Sequence, residues 1–249
     1  MGGEALLRLD GVRCVFLERV NRFVARVRAP EGESEAHVNN TGRLLEYMRP
    51  GAAAYCVPRE SPGRTRYRLL AFDDDGGAAL VDTSAQMAAL EAAISRGLLP
   101  WALGCSIRRR SPRLGASVLD YLMDCGRRGP VYAEVKSAVL RGPGDRAMYP
   151  DCPTERGRRQ IEALRDHAAQ GGGALIVFVA ALPRVRAFRP NGEGDPEIPH
   201  LLREAASAGV ELRAVSMHYD GSLVVLDDLD LPVELTRSKG SRPRPRTAP

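Results

Sequence analysis

The sequence predicts an α/β protein of two domains, in which a small β-barrel precedes a mixed α/β domain. Three observations lead to this prediction. The chain has 249 residues, whereas single domains usually contain about 100 to 200. Its first 80 residues alternate short apolar segments with turn residues, a pattern typical of all-β domains. From about residue 83 the pattern changes to helical periods and one continuous apolar segment.

The first domain, residues 1–80, is predicted to contain five short strands separated by turn sequences such as DG, EGES, NNTG and SPG. The strand segments are LLRLDG, VRCVFLERV, RFVARVRA, GAAAYCVPR and TRYRLLAFD. Five compact strands favour a small barrel, for which the OB fold is the obvious candidate. The strands carry many arginines, which suits a nucleic-acid platform, but only Phe23, Tyr55 and Tyr67 could stack on bases.

The second domain, residues 81–237, is predicted to have the order α, β, β, α, β, α, β. Its first helix begins at Thr83 or Ser84 and ends near Gly97. Two strand-like segments, SVLDYLMD and VYAEVKSAVL, flank the turn CGRRG, and a second helix begins near residues 153–154. The apolar run ALIVFVAAL is typical of a strand covered on both faces, and a last helix and strand follow it. Residues 238–249, rich in Pro and Arg, are predicted to be a flexible basic tail.

Composition favours a polyanionic partner. The net charge is +5 and the pI is near 9.1, and arginines that neutralise phosphates release counterions. A coding bias towards arginine, with solvated charges and no partner, explains the same numbers. No apolar stretch approaches the roughly 20 residues of a membrane span, so we expect a soluble, cytoplasmic protein without a membrane partner. The five cysteines contain no CxxC pair, and we expect buried or unreactive thiols.

The two strands around CGRRG bring two carboxylates together. If residues 125–129 form the loop, Asp124 lies opposite Pro130, and Asp120 lies opposite Glu134. Like charges directly opposed on a sheet are destabilising, so a cation is expected between them. Mg²⁺ or Mn²⁺ fits, since Mg²⁺ takes a few carboxylate oxygens and keeps several waters. Asp120 and Glu134 are therefore the predicted metal ligands.

Lys136 follows Glu134 on the same face of its strand. Only two of the 36 basic residues are lysine, the other being Lys239. A compact ammonium can orient a water molecule or stabilise a phosphate beside a metal ion, a role that suits a guanidinium poorly. A solvated hairpin with an ordinary ion pair would also account for these three residues, and a one-residue slip would separate the carboxylates.

Further side chains are candidates for the site. Glu91, on the first helix, is a candidate third carboxylate or an ordinary surface residue. Arg156 and Arg159 are spaced i, i+3 at the start of the second helix, where backbone N–H groups also favour anions. Together with arginines of the first domain they form the predicted nucleic-acid-binding set: Arg19, Arg22, Arg43, Arg64, Arg66, Arg156 and Arg159.

Five segments, in order, resemble the sugar fermentation stimulation protein family: ERVNRFVARV, HVNNTGRLLEYMRPG, VYAEVKSAVL, MYPDCPTERGRRQIEAL and DPEIPHLLREAASAGVEL. The resemblance implies an OB-like domain joined to a restriction-endonuclease-like domain of the PD-(D/E)xK superfamily. It also implies DNA binding and metal-dependent nuclease activity. The catalytic aspartate of that superfamily falls on Asp120, its E-x-K on Glu134 and Lys136, and, less securely, its helix acid on Glu91.

The chain departs from the family pattern at three places. It has Ser117-Val118-Leu119-Asp120 where S-R-I-D is usual, Val81-Asp82-Thr83 where V-N-T is usual, and Arg158-Arg159-Gln160 where Q-K-H is common. These departures concern substrate contacts more than the metal site. The resulting hypothesis is an Mg²⁺- or Mn²⁺-dependent nuclease that acts on DNA, with RNA as a second option. The alternative is a non-enzymatic DNA-binding regulator of sugar metabolism, and a homo-oligomer is left open.

Overall fold

The computed structural model describes residues 3–60 and 63–235, so the predicted tail at 238–249 lies outside the described residues. The helices are α1 (Thr83–Ser95), α2 (Glu155–Ala169) and α3 (Ile198–Ser207). The strands of the first 80 residues are β1 (Glu4–Arg8), β2 (Val12–Asn21), β3 (Val24–Ala29), β4 (Gly32–His37), β5 (Ala53–Pro58), β6 (Tyr67–Asp74) and β7 (Gly77–Leu80). Those that follow are β8 (Ser106–Arg110), β9 (Arg113–Leu114), β10 (Ser117–Val118), β11 (Tyr121–Asp124), β12 (Pro130–Ser137), β13 (Leu140–Gly142), β14 (Arg146–Tyr149), β15 (Gly173–Ala180), β16 (Ala187–Pro190), β17 (Glu211–Tyr219) and β18 (Leu223–Asp228).

Strands β2 to β6 form the predicted five-stranded OB-like barrel. They are ordered β4-β3-β2-β5-β6, and a parallel pairing of β4 with β6 closes the barrel. Its interior contains fully buried apolar side chains such as Phe16, Val27 and Phe72. This closure pairs strands that would otherwise expose edges to solvent.

The barrel has the predicted number of strands, but two of the strands differ from the prediction: β1 lies outside the barrel and β4 lies in it. The segment predicted as the first barrel strand is β1, which pairs antiparallel with β18 of the second domain. Its place in the barrel is taken by β4, whose first three residues lie in the EGES segment that was predicted as a turn. Only Ala36 of β4 is fully buried, and its neighbours are charged or polar, so the strand lacks the apolar alternation that identifies strands in sequence.

The second domain has the predicted mixed central sheet. Strands β12, β15 and β17 are parallel, whereas β11, β8, β18 and β1 join antiparallel. Strand β15 is the apolar run predicted to be covered on both faces, and its residues after Gly173 are buried. Helix α1 lies on one face, where Met87 contacts Tyr121, and α2 lies on the opposite face, where Gln160 contacts Lys136.

The helix caps explain where the helices begin. Helix α1 is capped by Asp82, whose carboxylate accepts from Ala85 N at 2.9 Å, and not by Thr83 or Ser84 as predicted. The hydroxyl of Thr83 instead donates to the Asn39 carbonyl across the domain junction at 2.6 Å. Helix α2 begins as predicted, with the Thr154 hydroxyl accepting from Gly157 N.

The expectation of unpaired thiols was wrong for four of the five cysteines. Cys14 and Cys56 form a disulfide between β2 and β5, and Cys105 and Cys125 form a second one. Cys152 is the free thiol, and it is half-buried. Within the described residues, no helix is long and apolar enough to cross a membrane.

A half-buried polar contact joins the two domains beside the barrel. The Glu46 carboxylate accepts from Arg141 N at 3.0 Å, and the Arg141 guanidinium donates to Asp74 at 2.9 Å. Burial, above all, raises the pKa of Glu46 to about 7, and the nearby Asp74 and Asp151 charges add to this rise. The native state therefore holds a proton on Glu46 over a pH range in which the unfolded chain has lost it.

This shift predicts a pH-dependent stability difference between the wild type and Glu46→Gln. The pKa rises from 4.5 to about 7 on folding, so the contribution of Glu46 to stability falls as pH rises through that window. Allowing for its partial exposure, we expect the unfolding free energy of the wild type, relative to the variant, to fall by about 1 kcal/mol. Urea unfolding of both proteins at pH 5 and pH 8 measures this change. A wild type that becomes more stable relative to Glu46→Gln as pH rises would contradict the assignment.

Candidate active site

The hairpin of β11 and β12 has the predicted register. Asp124 pairs with Pro130, and the pairing continues without a slip to Tyr121 and Ala133. One step further, the Asp120 carboxylate accepts from Val135 N at 2.8 Å, so it lies directly beside β12. Because side chains alternate along a strand, Glu134 and Lys136 point to one face together, the face covered by α2.

Lys136 and Glu134 form a buried ion pair. The Lys136 ammonium donates to Glu134 Oε1 at 2.8 Å and to Gln160 Oε1 at 2.8 Å. Lys136 is only 5% exposed and Glu134 only 4%. The Gln160 amide also donates to the Val118 carbonyl at 2.8 Å, which fixes its orientation. A buried charge pair of this kind is stable only when further hydrogen bonds satisfy its remaining groups, and Gln160 supplies one of them.

The pKa values of the three charged groups in this cluster depend on two opposing effects, burial and the attraction between opposite charges. Burial is the main cause that raises the pKa of Glu134 to about 7, which Lys136 opposes and Asp120 reinforces. Burial likewise raises the pKa of Asp120, against the Val135 hydrogen bond and the Lys136 charge. Burial is the largest single influence on Lys136 and acts to lower its pKa, but Glu134, Tyr149 and Asp120 together outweigh it and leave that pKa raised. The two carboxyls are thus close enough to influence each other.

The donor set fits a divalent cation. Glu134 Oε2 is buried and has no hydrogen-bond partner among the described residues, an arrangement that is costly unless a further group binds it. The described residues contain no cluster of three or more His, Cys, Asp or Glu side chains that could hold a metal. A site of two carboxylates suits Mg²⁺, which usually keeps several waters, better than it suits zinc.

The cluster opens into a cavity of about 360 Å³ between the two domains. Asp120, Glu134 and Lys136 line it from the second domain, together with Arg156 at the start of α2. The barrel contributes the turn at residues 22–23 and the loop at residues 39–44. The cavity is therefore complete only when both domains are present.

A network of hydrogen bonds holds the 39–44 loop against the site. Asn40 is buried; its side chain accepts from Gly42 N and donates to the Val81 carbonyl. Leu44 N donates to the Asp151 carboxylate at 2.8 Å. A Cβ on Gly42 would lie 2.7 Å from that carboxylate, so this close approach requires glycine.

The structure gives Arg19 a different role from the predicted nucleic-acid contact. Its guanidinium donates to the carbonyls of Arg22, Asn40, Gly42 and Arg43, at 2.7 to 3.2 Å. These bonds occupy its terminal N–H groups, so Arg19 orders the loop instead of facing outward.

Of the other predicted arginines, two line the cavity and four are exposed outside it. Arg22 and Arg156 line the cavity. Arg64 and Arg66 are exposed on the barrel and form ion pairs with Glu35 and Glu31. Arg159 is exposed and lies 3.9 Å from Glu155, whereas Arg43 is exposed beside a smaller cavity of about 100 Å³.

Glu91 does not join the acidic cluster. It lies on α1, across the sheet, where its carboxylate accepts from Arg110 at 2.6 Å and from the Tyr121 hydroxyl at 2.9 Å. The Arg110 hydrogen bond, above all, lowers the pKa of Glu91. Tyr121 neighbours Asp120 in sequence but points to the opposite face, which explains why a helix that packs on this sheet does not bring Glu91 to the cavity.

Gln160 is the site residue that the sequence analysis missed. It occupies the buried stripe of α2 with Gly157, Ile161 and Leu164. A glutamine at an otherwise apolar helical position indicates a buried hydrogen-bond partner, and here the partner is Lys136. The helical period of the sequence alone places this glutamine among the apolar positions of α2, so the sequence could have identified it.

Fold and site together define a two-domain protein, in which an OB-like barrel packs on a mixed α/β domain and a cavity with an acidic cluster lies between them. Residues 17–81 match the family profile described as "SfsA N-terminal OB domain", and residues 84–222 match "Sugar fermentation stimulation protein RE domain". The chain belongs to the sugar fermentation stimulation protein family.

Relatives of known sequence and structure agree with this assignment. The homologue from Pyrococcus furiosus is 49% identical over 222 residues, which are 89% of this chain and 95% of the relative. The homologue from Archaeoglobus fulgidus is 42% identical over 224 residues, 90% of this chain and 96% of the relative. The solved structure of Pyrococcus furiosus SfsA in complex with Ca²⁺ superposes with a TM-score of 0.89 at 47% identity, covering 93% of this chain and 99% of that one.

The buried ion pair predicts a specific pattern of stability in metal-free protein. Lys136→Met leaves Glu134 without its counter-charge, and we expect a loss of about 3 to 5 kcal/mol in the unfolding free energy at pH 8. The double variant Glu134→Gln, Lys136→Met removes both charges and should regain part of that loss. Urea unfolding in EDTA measures all three proteins. A double variant no more stable than Lys136→Met would contradict the attribution of the loss to an unpaired charge on Glu134.

Proposed function

We propose that this protein is a divalent-metal-dependent nuclease that hydrolyses phosphodiester bonds of DNA, and of RNA as a second substrate. The observation that carries the proposal is a buried Glu134 oxygen that has no hydrogen-bond partner among the described residues and lies beside Asp120 and Lys136 in a cavity. Membership of a family whose second domain is described as an RE domain supports it. The Ca²⁺ in the solved relative supports a divalent ion.

Each residue has a role that follows from its position. Asp120 and Glu134 would hold Mg²⁺ or Mn²⁺, which supplies Lewis-acid stabilisation of the phosphate and a more acidic bound water. Lys136 directs its ammonium to the same place, where it can orient the attacking water and stabilise charge that develops on the phosphate. Gln160 and Glu134 keep the ammonium fixed, so little reorganisation is needed during reaction.

The basic groups of the cavity suit the phosphate backbone. Arg156 lies close enough to both carboxylates that its charge opposes, in small part, the rise that burial causes in the pKa of Asp120 and of Glu134. It also lies in the first turn of α2, where the helix dipole favours an anion. We assign Arg156 and Arg22 to binding of phosphates on either side of the scissile bond.

The direct test is cleavage of DNA and RNA by purified protein in Mg²⁺, Mn²⁺ or EDTA. The wild type should cleave only with a metal, and Glu134→Gln and Lys136→Ala should each lower the rate at least about 100-fold. Mn²⁺ should also raise the melting temperature of the wild type and not of Glu134→Gln, since only a bound ion stabilises the native state.

Two results would contradict the proposal. If the wild type binds nucleic acid but cleaves nothing with any metal, the protein is a binding module and the enzymatic assignment fails. If both variants cleave at the wild-type rate, the activity belongs to another site or another protein. Glu91→Gln is the matched control, because that carboxylate lies across the sheet and the change should leave cleavage intact.

A second prediction separates two of the four arginines of α2, Arg156 and Arg159. Arg156→Ala removes a contact in the cavity and should weaken nucleic-acid binding, lowering the slope of log affinity against log salt by about 1. Arg159→Ala, three residues along the helix and outside the cavity, should leave both the affinity and the slope unchanged. Titrations at several salt concentrations in EDTA measure both. Equal effects of the two substitutions would show that the helix binds by overall charge.

A further inference from the structure

The turn between β2 and β3 presents an aromatic ring to solvent. Phe23 is 50% exposed, and it is the aromatic among the exposed large apolar side chains of the described residues, the others being Val20, Leu45, Leu103 and Leu229. The other two aromatics expected to stack on bases are engaged elsewhere. Tyr67 is buried, and the Tyr55 ring packs edge-on against Tyr219 at 5.1 Å.

The ring is carried on a fixed backbone. Phe23 N donates to the Asn21 side chain at 2.9 Å, and the Phe23 carbonyl accepts from Val38 N at 2.8 Å. The preceding carbonyl of Arg22 accepts from Arg19. The Arg22 guanidinium lies 5.7 Å from the centroid of the Phe23 ring. This rigid turn thus holds an exposed ring and a cation together.

A single exposed apolar side chain needs no functional explanation by itself. Phe23 differs because its ring lines the same cavity as Glu134 and Lys136, on the wall contributed by the other domain. At about 360 Å³ the cavity lies at the lower end of the range for pockets that hold one small ligand, about 300 to 1,000 Å³. It can accommodate a nucleotide but not a base-paired duplex.

Burial of the acidic cluster also argues against a base-paired duplex as the species that reaches it. A phosphodiester must enter the cavity to reach Glu134, which is 4% exposed. A nucleotide in a duplex is held by stacking and pairing, and enzymes that act at buried sites take it out of the helix first. An unpaired nucleotide that has entered needs a surface for its base. Phe23 and Tyr149 both line the cavity, and Phe23 is the more exposed of the two rings.

We infer that Phe23 is a base-stacking residue and that the substrate strand is single-stranded where it enters the cavity. The inference rests on the proposed function, which it deepens by naming the substrate class. Arg22 binds the adjacent phosphate or the face of the base, and the turn of the barrel then positions the strand over the acidic cluster. Stacking of this kind does not discriminate between bases, because every base has a π-face.

The test measures binding in EDTA, without cleavage, by fluorescence anisotropy. The probes are a short mixed-sequence DNA single strand, the blunt duplex of the same sequence, and a single strand of equal length with abasic sites throughout. Wild type should bind the single strand more tightly than the abasic strand. Phe23→Ala should lose about 5- to 150-fold in affinity for the single strand and little for the abasic strand. Phe23→Trp should retain the affinity.

Leu103→Ala is the matched control, because Leu103 is exposed, 62%, and lies outside the cavity. It should bind all probes like the wild type. A Phe23→Ala variant within about twofold of wild type on the single strand, or one that loses equally on the abasic strand, would overturn the inference. So would a wild type that prefers the blunt duplex.

These outcomes are distinct from failure of the proposed function. Base-dependent binding by Phe23 with no cleavage in any metal would refute the nuclease and leave the stacking residue in place. Cleavage that requires Glu134, together with unchanged binding by Phe23→Ala, would support the nuclease and refute the stacking residue.

Discussion

The ion pair between Glu134 and Lys136 is the interaction on which the site depends. Both groups lie on one strand, two residues apart, and both are almost fully buried. Removing two charges from water costs several kcal/mol, and their mutual attraction offsets that cost only when the geometry is good. The surrounding structure supplies the geometry, since Gln160 accepts from Lys136 and the covering helix excludes solvent. The pair remains incomplete because Glu134 keeps one oxygen without a partner among the described residues.

A buried carboxylate oxygen without a hydrogen-bond partner is expected in a binding site and not in a core that only stabilises the fold. A stabilising core would contain apolar residues of the same volume, and replacing buried ion pairs by such residues is often neutral or favourable. The chain instead places Asp120 beside the same carboxylate, which raises the pKa of Glu134 further. Two carboxylates held together at this cost fit the proposed cation, which would neutralise them. The junction with the barrel encloses this region, and Arg19, Asn40 and Gly42 hold the closing loop in place.

Local patterns were sufficient to predict the register of the β11–β12 hairpin, which carries the candidate site. The hairpin loop alone sets the register, so the sequence by itself brings Asp120, Glu134 and Lys136 together. Lysine is rare in this arginine-rich chain, and the buried position of Lys136 agrees with a specific role. The five-stranded barrel and the apolar strand β15 were predicted by the same local reasoning.

The remaining features depend on pairings over long sequence distances. Strand β1 pairs with β18 near the other end of the chain, and neither periodicity nor turn residues encode that choice. Glu91 has the sequence position of a third acid, but its helix packs on the face of the sheet away from the cavity. The disulfides and the inward-facing Arg19 likewise depend on which strands lie side by side. Sequence spacing cannot specify such neighbours when the partners are far apart.

The most direct measurement is diffraction from crystals grown with Mn²⁺, using the anomalous signal to locate the ion. The account predicts one ion between the two carboxylates, within about 2.5 Å of an oxygen of Asp120 and of Glu134. Its remaining ligands should be mostly water. An empty cluster at saturating Mn²⁺, or an ion bound elsewhere in the cavity without Glu134, would contradict the central claim.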